Sequence, residues 1–203
     1  LKDLYSRVST LLNKSIGRKL TSVECCLLID EAAVTIVAGN IRRSAGMRQF
    51  SSEDMEAASA KENLWSQDKD GNWRIDPEKD ALRMANHTRV YHTKPTYKTI
   101  LDAVTKQFHS GEGAIQFAPE AIARSNADIL SSDELRREFI EVYVEQGKDE
   151  AKRWINTNYG PFTEEELDHR MTRYGLNPCG EILGNDFHCN LAEVHLNQID
   201  PND

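Results

Sequence analysis

An amide, a thiol and a carboxylate alternate along one short segment, at Asn177, Cys179 and Glu181. In an extended or finger-like loop alternate residues face the same way, so these three side chains would converge on one small spot. Pro178 stiffens the backbone between them, and Gly180 permits tight geometry. A positioned glutamate can act as a general base within hydrogen-bond reach. The spacing therefore predicts a reactive thiol with an acid–base partner.

A second thiol, Cys189, follows in residues 187–197, a stretch typical of a strand. For a lone cysteine a buried structural thiol would be the favoured interpretation. The six-residue motif and the second cysteine together favour chemistry instead. A metal site built from Cys179, His188, Cys189 and His195 is an alternative, but it lacks Cys-x-x-Cys or His-x-x-x-His spacing. We therefore predict no bound metal.

A second candidate segment, residues 37–45, is called the arginine loop below. It carries a Gly39-Asn40 turn followed by Arg42 and Arg43. Such a turn lets the backbone approach a planar ring, and guanidinium groups can stack on a ring or bind phosphate. The alternative is a solvated helix C-terminus, where cations interact favourably with the helix dipole.

The two segments resemble, in the same order, parts of the catalytic subunits of ribonucleotide reductases. Asn-Pro-Cys-Gly-Glu-Ile at 177–182, followed by Cys-Asn-Leu-Ala-Glu-Val at 189–194, is similar to the finger loop and following strand of that family. The Asn-Pro-Cys form resembles the adenosylcobalamin-dependent class. The arginine loop is similar to the family's loop between substrate base and effector nucleotide. Weaker similarities cover residues 84–90 and 111–117.

The resemblance implies a role for each matched residue. Cys179 would become a thiyl radical that abstracts the ribose 3′ hydrogen, and Glu181 would take the 3′-OH proton and assist loss of the 2′-OH. Asn177 would hold the substrate hydroxyls. Cys189 would be half of the dithiol that supplies reducing equivalents. A thiol S–H bond is comparable in strength to a ribose C–H bond, so hydrogen transfer can run both ways.

In the arginine loop the resemblance implies that Arg42 contacts the base, while Gly39, Asn40 and Arg43 complete the specificity loop. It also implies adenosylcobalamin as cofactor, with an iron- or manganese-radical class as the alternative. The expected partners are a ribonucleotide substrate, preferentially a triphosphate, a deoxynucleotide effector and a thioredoxin-type reductant. Other required parts of the family would lie outside this chain, so we expect an inactive internal fragment. A non-catalytic helical interaction module is the alternative function.

Composition narrows the class of protein. The 203 residues are 39% hydrophobic and 29% charged, as in soluble globular proteins. A net charge of −8 argues against broad nucleic-acid binding, which needs clustered cations. No apolar run approaches the roughly 18–20 residues that span a bilayer. The four cysteines are too few for a small disulfide scaffold, which favours a reducing, cytoplasmic compartment.

Alternating strands and helices predict an α/β architecture with parallel strands. With the resemblance, this becomes part of a ten-stranded α/β barrel of the ribonucleotide reductase type with a helical insertion. We expect residues 1–125 to form the first part of the barrel segment with the arginine loop. Residues 126–170 would be a charged helical insertion. Residues 171–203 would hold the finger loop and the following strand.

Local signals place the elements. A Thr-x-x-Glu capping box at 21–24 predicts a largely apolar helix to about residue 38, buried and with Cys25 and Cys26 in the core. Strands are expected at 47–50, 88–93 and 114–118, a helix from Pro95 to Gly111, and an irregular, solvated stretch at 65–85. Helices are expected over most of 120–173. His87 and His92 are expected to be surface or satisfied residues.

Overall fold

The computed structural model describes residues 1–35, 46–62 and 64–177. The elements follow in the order α1 (Lys2–Lys14), α2 (Ser22–Val34), β1 (Gly46–Ser51), α3 (Met55–Ser59), β2 (Trp65–Gln67), β3 (Trp73–Ile75), β4 (Ala85–Tyr91), α4 (Tyr97–Ser110), β5 (Ala114–Phe117), α5 (Ala118–Ser125), α6 (Asp133–Gln146), α7 (Lys148–Tyr159) and α8 (Glu164–Met171). A 3₁₀ turn, Asp80–Met84, leads into β4.

A parallel sheet in the order β1-β4-β5 organises the first part of the chain. Gly46 pairs with Ala85, and Thr88 pairs with Ala114. Parallel neighbours need crossover connections, and α3 and α4 lie in the two crossovers. The expected α/β class with parallel strands is confirmed. The described residues show three strands in this sheet and no barrel closure, so the ten-stranded barrel stays a prediction.

The two faces of this sheet meet different parts of the chain, because side chains alternate along a strand. The Arg48 guanidinium pairs with Asp30 of α2, so this side is called the helical face. Gln49 points the other way and hydrogen-bonds to the backbone of Tyr174 and Leu176. That side is called the loop face. The sheet thus separates α2 from the segment that leads into the predicted Cys179 loop, whereas the core of α5–α8 packs on the loop face through Val90.

Helix α2 begins with the predicted capping box. The Thr21 hydroxyl accepts from the Glu24 amide, and the Glu24 carboxylate accepts from the Thr21 amide at 2.9 Å. Two backbone amides that the helix itself leaves unpaired are satisfied in this way. This part of the prediction needed only neighbouring residues, and it is confirmed.

The expected burial of α2 is confirmed only in part within the described residues, because Leu27 and Cys26 pack in an apolar cluster with Leu82 while other side chains of the helix are exposed. Ile29 is 55% exposed, and Cys25 is exposed rather than packed in the core. The residues turned inward include Asp30 and Glu31, which are buried. Arg48 and Arg7 compensate their charges. The covered face of α2 therefore combines apolar packing around Leu27 with ion pairs to distant arginines.

Residues 65–85 are more regular than expected. β2 and β3 form an antiparallel hairpin in which Trp65 pairs with Ile75. The Asp68 carboxylate closes its turn by accepting from the amides of Asp70 and Asn72, at 3.0 and 2.9 Å. β4 also begins at Ala85, three residues before the expected start. The turn signals were predicted correctly, but strands of three residues are too short to show a period.

Helix α4 ends at Gly111, as predicted. Gly111 adopts a φ of 73°, a left-handed conformation that favours glycine at this position of a helix C-terminus. Among the described residues, no helix is long and apolar enough to cross a bilayer.

Helices α5–α8 share one hydrophobic core, which also includes Val90 of β4. Phe139, Ile155 and Met171 are fully buried in it. The helices expected in this region are confirmed, whereas the boundary at residue 126 stays a prediction.

A buried amide, Asn126, joins the ends of α5 and α8. Its Oδ1 accepts from Arg170 and Arg173, each at 3.1 Å, and its Nδ2 donates to the carbonyls of Ile122 and Arg170. All the hydrogen bonds that the side chain needs are formed, which makes such a buried polar group stabilising rather than costly. The point at which the chain leaves α8 is thereby fixed relative to α5.

Candidate functional site

Asn177 is the predicted site residue that the structure describes, and it is half-buried. The other predicted residues lie outside the described part of the chain. They are Cys179, Glu181 and Cys189, with Gly39, Asn40, Arg42 and Arg43 of the arginine loop. The structure nevertheless describes the backbone that borders both segments. Thr35 and Gly46 flank the arginine loop, and Asn177 lies two residues before Cys179.

The described residues that border the two segments lie at the same edge of the sheet. Gly46, which follows the arginine loop, is the first residue of β1. A cavity of about 310 Å³ at this amino edge is lined by Met47, Asn86 and Leu176, among others. Leu176 lies three residues before Cys179. Gln49 and Leu176 are 127 positions apart in sequence but hydrogen-bonded to each other. The fold therefore brings together described residues that lie close in sequence to the two candidate loops.

Gln49 makes the direct connection. Its Nε2 donates to the Tyr174 carbonyl at 3.0 Å, and its Oε1 accepts from the Leu176 amide at 2.9 Å. The same Nε2 also donates to Oε1 of Gln116 on β5. One side-chain amide thus satisfies a backbone acceptor and a backbone donor of the segment that leads into the Cys179 loop. Gln49 could not be predicted as a functional residue from the sequence, because a glutamine within a strand usually faces solvent.

Aromatic contacts hold the same segment from the other end of β4. The Tyr174 ring lies edge-on to His92, with ring centroids 5.6 Å apart. His92 Nδ1 lies 3.0 Å from the Tyr143 hydroxyl of α6. Burial lowers the pKa of His92 and raises the pKa of Tyr143 to about 12. Both groups are therefore uncharged near neutral pH, and the contact joins the helical core to residue 174 without a net charge. The expectation that His92 is a satisfied residue agrees with this contact.

His87 lies on the helical face of β4 and is only 7% exposed. The Phe50 ring packs edge-on against it at 5.8 Å, and neither ring nitrogen has a hydrogen-bond partner within the described ranges. Burial lowers the pKa of His87 to about 4, assisted by the positive charges of Lys61 and Arg48. The expected surface position of His87 is therefore wrong, and the polar group beside its ring is the Ala57 backbone, which raises the pKa against the effect of burial.

His87 should make the folded chain less stable in acid. Its pKa is about 4 when folded and about 6.5 when unfolded. Between these values the unfolded chain binds more protons, so the free energy of unfolding falls with decreasing pH, by up to ~3 kcal/mol. Above about pH 6.5 this contribution to the pH dependence disappears. Urea unfolding between pH 7.5 and 4 measures it.

The neutral variant His87→Gln should show a shallower loss of stability over this interval than the wild type. His109→Gln, on the exposed side of α4, is the matched control and should keep the wild-type slope. Equal slopes for the wild type and His87→Gln would contradict the assignment.

A larger cavity, of about 910 Å³, lies on the helical face between the β2–β3 hairpin and α4. Trp65, Trp73 and His87 line it, and Asn177, the predicted site residue that the structure describes, does not. Across residues 1–35, 46–62 and 64–177, no group of three or more His, Cys, Asp or Glu is placed to hold a metal. All four residues of the metal alternative lie outside those ranges: Cys179, His188, Cys189 and His195.

Comparison with known proteins gives a consistent set of relatives. The chain is 28% identical over 198 residues to an adenosylcobalamin-dependent ribonucleoside-triphosphate reductase of Levilactobacillus brevis. It is 26% identical over 195 residues to the proteins of that name from Lactobacillus acidophilus and Lacticaseibacillus paracasei. Each match covers 96% of this chain and 20% of the relative. The chain therefore spans about a fifth of the length of the curated relatives that it matches.

No protein-family profile matches the chain, and no solved structure matches it. The relatives share one printed name, and their similarity runs through both the arginine loop and the Cys179 segment, because nearly the whole chain is covered. The chain is thus similar to a segment of these reductases.

Proposed function

We propose that this chain is a segment of a radical ribonucleotide reductase that converts ribonucleoside triphosphates to 2′-deoxyribonucleotides. The observation that carries the proposal is the pair of hydrogen bonds that Gln49 forms with the backbone, donating to the Tyr174 carbonyl and accepting from the Leu176 amide. They bring the start of the Cys179 loop to the strand that follows the arginine loop. The names of the relatives support the reaction and the triphosphate substrate.

In the proposed reaction, a thiyl radical at Cys179 takes the hydrogen atom from C3′ of the ribose, forming an S–H bond as the C–H bond breaks. The Glu181 carboxylate accepts the 3′-OH proton, and the 2′-OH leaves with a proton as water. Cys189 and a second thiol supply two electrons and two protons and become a disulfide. The Cys179 thiol then returns its hydrogen atom to C3′. The sum is a ribonucleotide and two thiols giving a deoxyribonucleotide, a disulfide and water.

The remaining matched residues bind and select the substrate. The Asn177 side chain carries both donors and an acceptor, which suits the ribose hydroxyls. Arg42 contacts the base, while Gly39, Asn40 and Arg43 shape the loop that responds to a deoxynucleotide effector. A thioredoxin-type protein reduces the disulfide after each turnover. These assignments follow from the resemblance of the motifs.

Adenosylcobalamin is the cofactor that the relatives' printed names imply. The cavity at the amino edge measures about 310 Å³, which suits a sugar-sized group. Pockets for drug-sized ligands already measure about 300–1,000 Å³, and a corrin is considerably larger. The described residues at this edge therefore do not fit the cofactor by themselves.

The alternative of a non-catalytic helical interaction module is not favoured, because the relatives are named as enzymes over the region that this chain matches. The charged exposed faces of α6–α8 fit a solvated surface equally well.

The test is an assay of the full-length protein that contains this chain. With adenosylcobalamin, a dithiol reductant and each ribonucleoside triphosphate, we expect the matching deoxyribonucleotide, resolved by chromatography. Diphosphates and omission of the cofactor are the controls. Activity that needs iron or manganese instead would indicate the other radical class. Absence of product with every nucleotide and every cofactor would overturn the proposal.

A further inference from the structure

The side-chain amide of Gln49 forms hydrogen bonds through both its nitrogen and its oxygen. Its two Nε2 hydrogens go to the Tyr174 carbonyl and to Gln116 Oε1, and its Oε1 accepts from the Leu176 amide. A flipped amide would set oxygen against two oxygens and nitrogen against nitrogen. The surrounding groups therefore fix one orientation of the amide, and that orientation in turn fixes two backbone groups of residues 174–176.

These contacts lie close to Cys179 along the chain. Leu176 lies three residues before Cys179, and an extended chain advances about 3.3 Å per residue. An anchor at Leu176 therefore limits Cys179 to a region within about 10 Å of it. Hydrogen transfer needs the reacting atoms about 3–3.5 Å apart, so a small displacement of this anchor is costly.

Gln49 also lies close to the arginine loop. It is the fourth residue of β1, and Gly46, the first, directly follows the loop. Any displacement of β1 along its axis would carry the Gln49 amide with it, and with the amide the carbonyl of Tyr174 and the amide of Leu176. A single side chain thus connects the strand that leaves one candidate loop to the segment that enters the other.

We propose that Gln49 is a positioning residue that sets the placement of the Cys179 thiol, acting through the backbone of Tyr174 and Leu176. This inference rests on the proposed function. Gln49 does not touch the reacting atoms in this role. Its contacts are with the backbone of the segment that leads into residue 177.

Gln49→Leu in the full-length protein tests the inference. The apolar side chain is similar in size but can neither donate nor accept. We expect kcat for deoxyribonucleotide formation to fall about 100-fold, with KM for the ribonucleotide little changed. Hydrogen transfer should also become more rate-limiting, so the kinetic isotope effect with 3′-deuterated substrate should rise. A purely structural defect would lower the amount of active protein and leave that isotope effect unchanged.

Gln67→Leu is the matched control. Gln67 is a strand glutamine that donates to the Gly71 carbonyl at 3.2 Å within the β2–β3 hairpin. It should keep the wild-type kcat and isotope effect. Gln49→Glu is a second variant in case Gln49→Leu does not fold. It keeps an acceptor for the Leu176 amide but loses both donors, and it should show the same direction of change.

Hydrogen exchange of the Leu176 amide adds a measurement that needs no turnover. It should be slow in the wild type and faster in Gln49→Leu. A wild-type enzyme that reduces nucleotides, with Gln49→Leu unchanged in kcat, isotope effect and exchange, would overturn the inference and leave the proposed function intact. A wild-type protein that reduces no nucleotide would overturn the proposed function, and the inference with it.

Discussion

Cys179→Ser should reduce deoxyribonucleotide formation by the full-length protein to background. Serine is nearly the size of cysteine, so nucleotide binding and folding should be retained. Its O–H bond is much stronger than a ribose C–H bond, whereas the S–H bond is comparable to it. A hydroxyl therefore cannot replace the thiol as a reversible carrier of a hydrogen atom. The measurement is product formation per enzyme, with nucleotide binding measured separately.

A control variant shows whether loss of any cysteine would have the same effect. Cys25→Ser is the matched control, because Cys25 is an exposed cysteine on α2 and no role in the reaction is assigned to it. It should keep wild-type activity. If Cys179→Ser retained turnover while binding nucleotide normally, the thiol would not carry the reaction. That outcome would contradict the assignment of the Cys179 loop even though the sequence motif is present.

The features that could be predicted from the sequence depend on neighbouring residues. The capping box needs only Thr21 and Glu24, and the end of α4 needs only Gly111. The motif around Cys179 is equally local, since its residues alternate within a few positions. The hairpin was missed because its strands have only three residues each, which is too short for a pattern.

The features that could not be predicted depend on partners far along the chain. Asp30 was expected in a buried apolar helix, but its burial depends on Arg48, 18 positions away. Gln49 has partners 125 and 127 positions away, in a segment that follows four helices. Residue types and spacing identified the candidate loops. The approach of the residues that border these loops to one sheet edge follows from packing that a single sequence does not display.

The ion pair between Asp30 and Arg48 is expected to have a large effect on the free energy of unfolding. The Asp30 side chain is fully buried and that of Arg48 is 15% exposed. Burial raises the pKa of Asp30, and the adjacent Arg48 charge opposes this. Asp30 Oδ2 has no hydrogen-bond partner in the part of the chain that the structure describes. The carboxylate therefore depends mainly on Arg48 for the compensation of its charge, with a smaller contribution from the charge of Lys61.

Arg48→Met should lower the free energy of unfolding by about 3–5 kcal/mol, because it removes the counter-charge that is hydrogen-bonded to a buried carboxylate. The pKa of Asp30 in the folded variant should rise further, so folding becomes coupled to proton uptake. A group with a raised folded pKa stabilises the fold most at low pH. The deficit relative to the wild type should therefore shrink as the pH falls. Urea unfolding at a series of pH values measures both effects.

The double variant Asp30→Leu/Arg48→Met separates the charge from the packing. Replacing both members of a buried ion pair by apolar residues is often nearly neutral, so the double variant should recover most of the stability lost in Arg48→Met. Lys98→Met, which removes an exposed pair with Asp102, should change stability by less than about 1 kcal/mol. A double variant as unstable as Arg48→Met would mean that Arg48 acts through packing alone.

The same single and double variants also test a role of the ion pair in function. Asp30 lies on α2 and Arg48 lies on β1, and these elements precede and follow the arginine loop in sequence. Their ion pair holds together the two ends from which that loop extends. If the full-length protein has the proposed function, Arg48→Met should weaken the proposed change in base preference with a deoxynucleotide effector, and the double variant should restore it. Unaltered effector dependence in Arg48→Met, at a temperature where the variant is folded, would show that the base of the loop is set by other contacts.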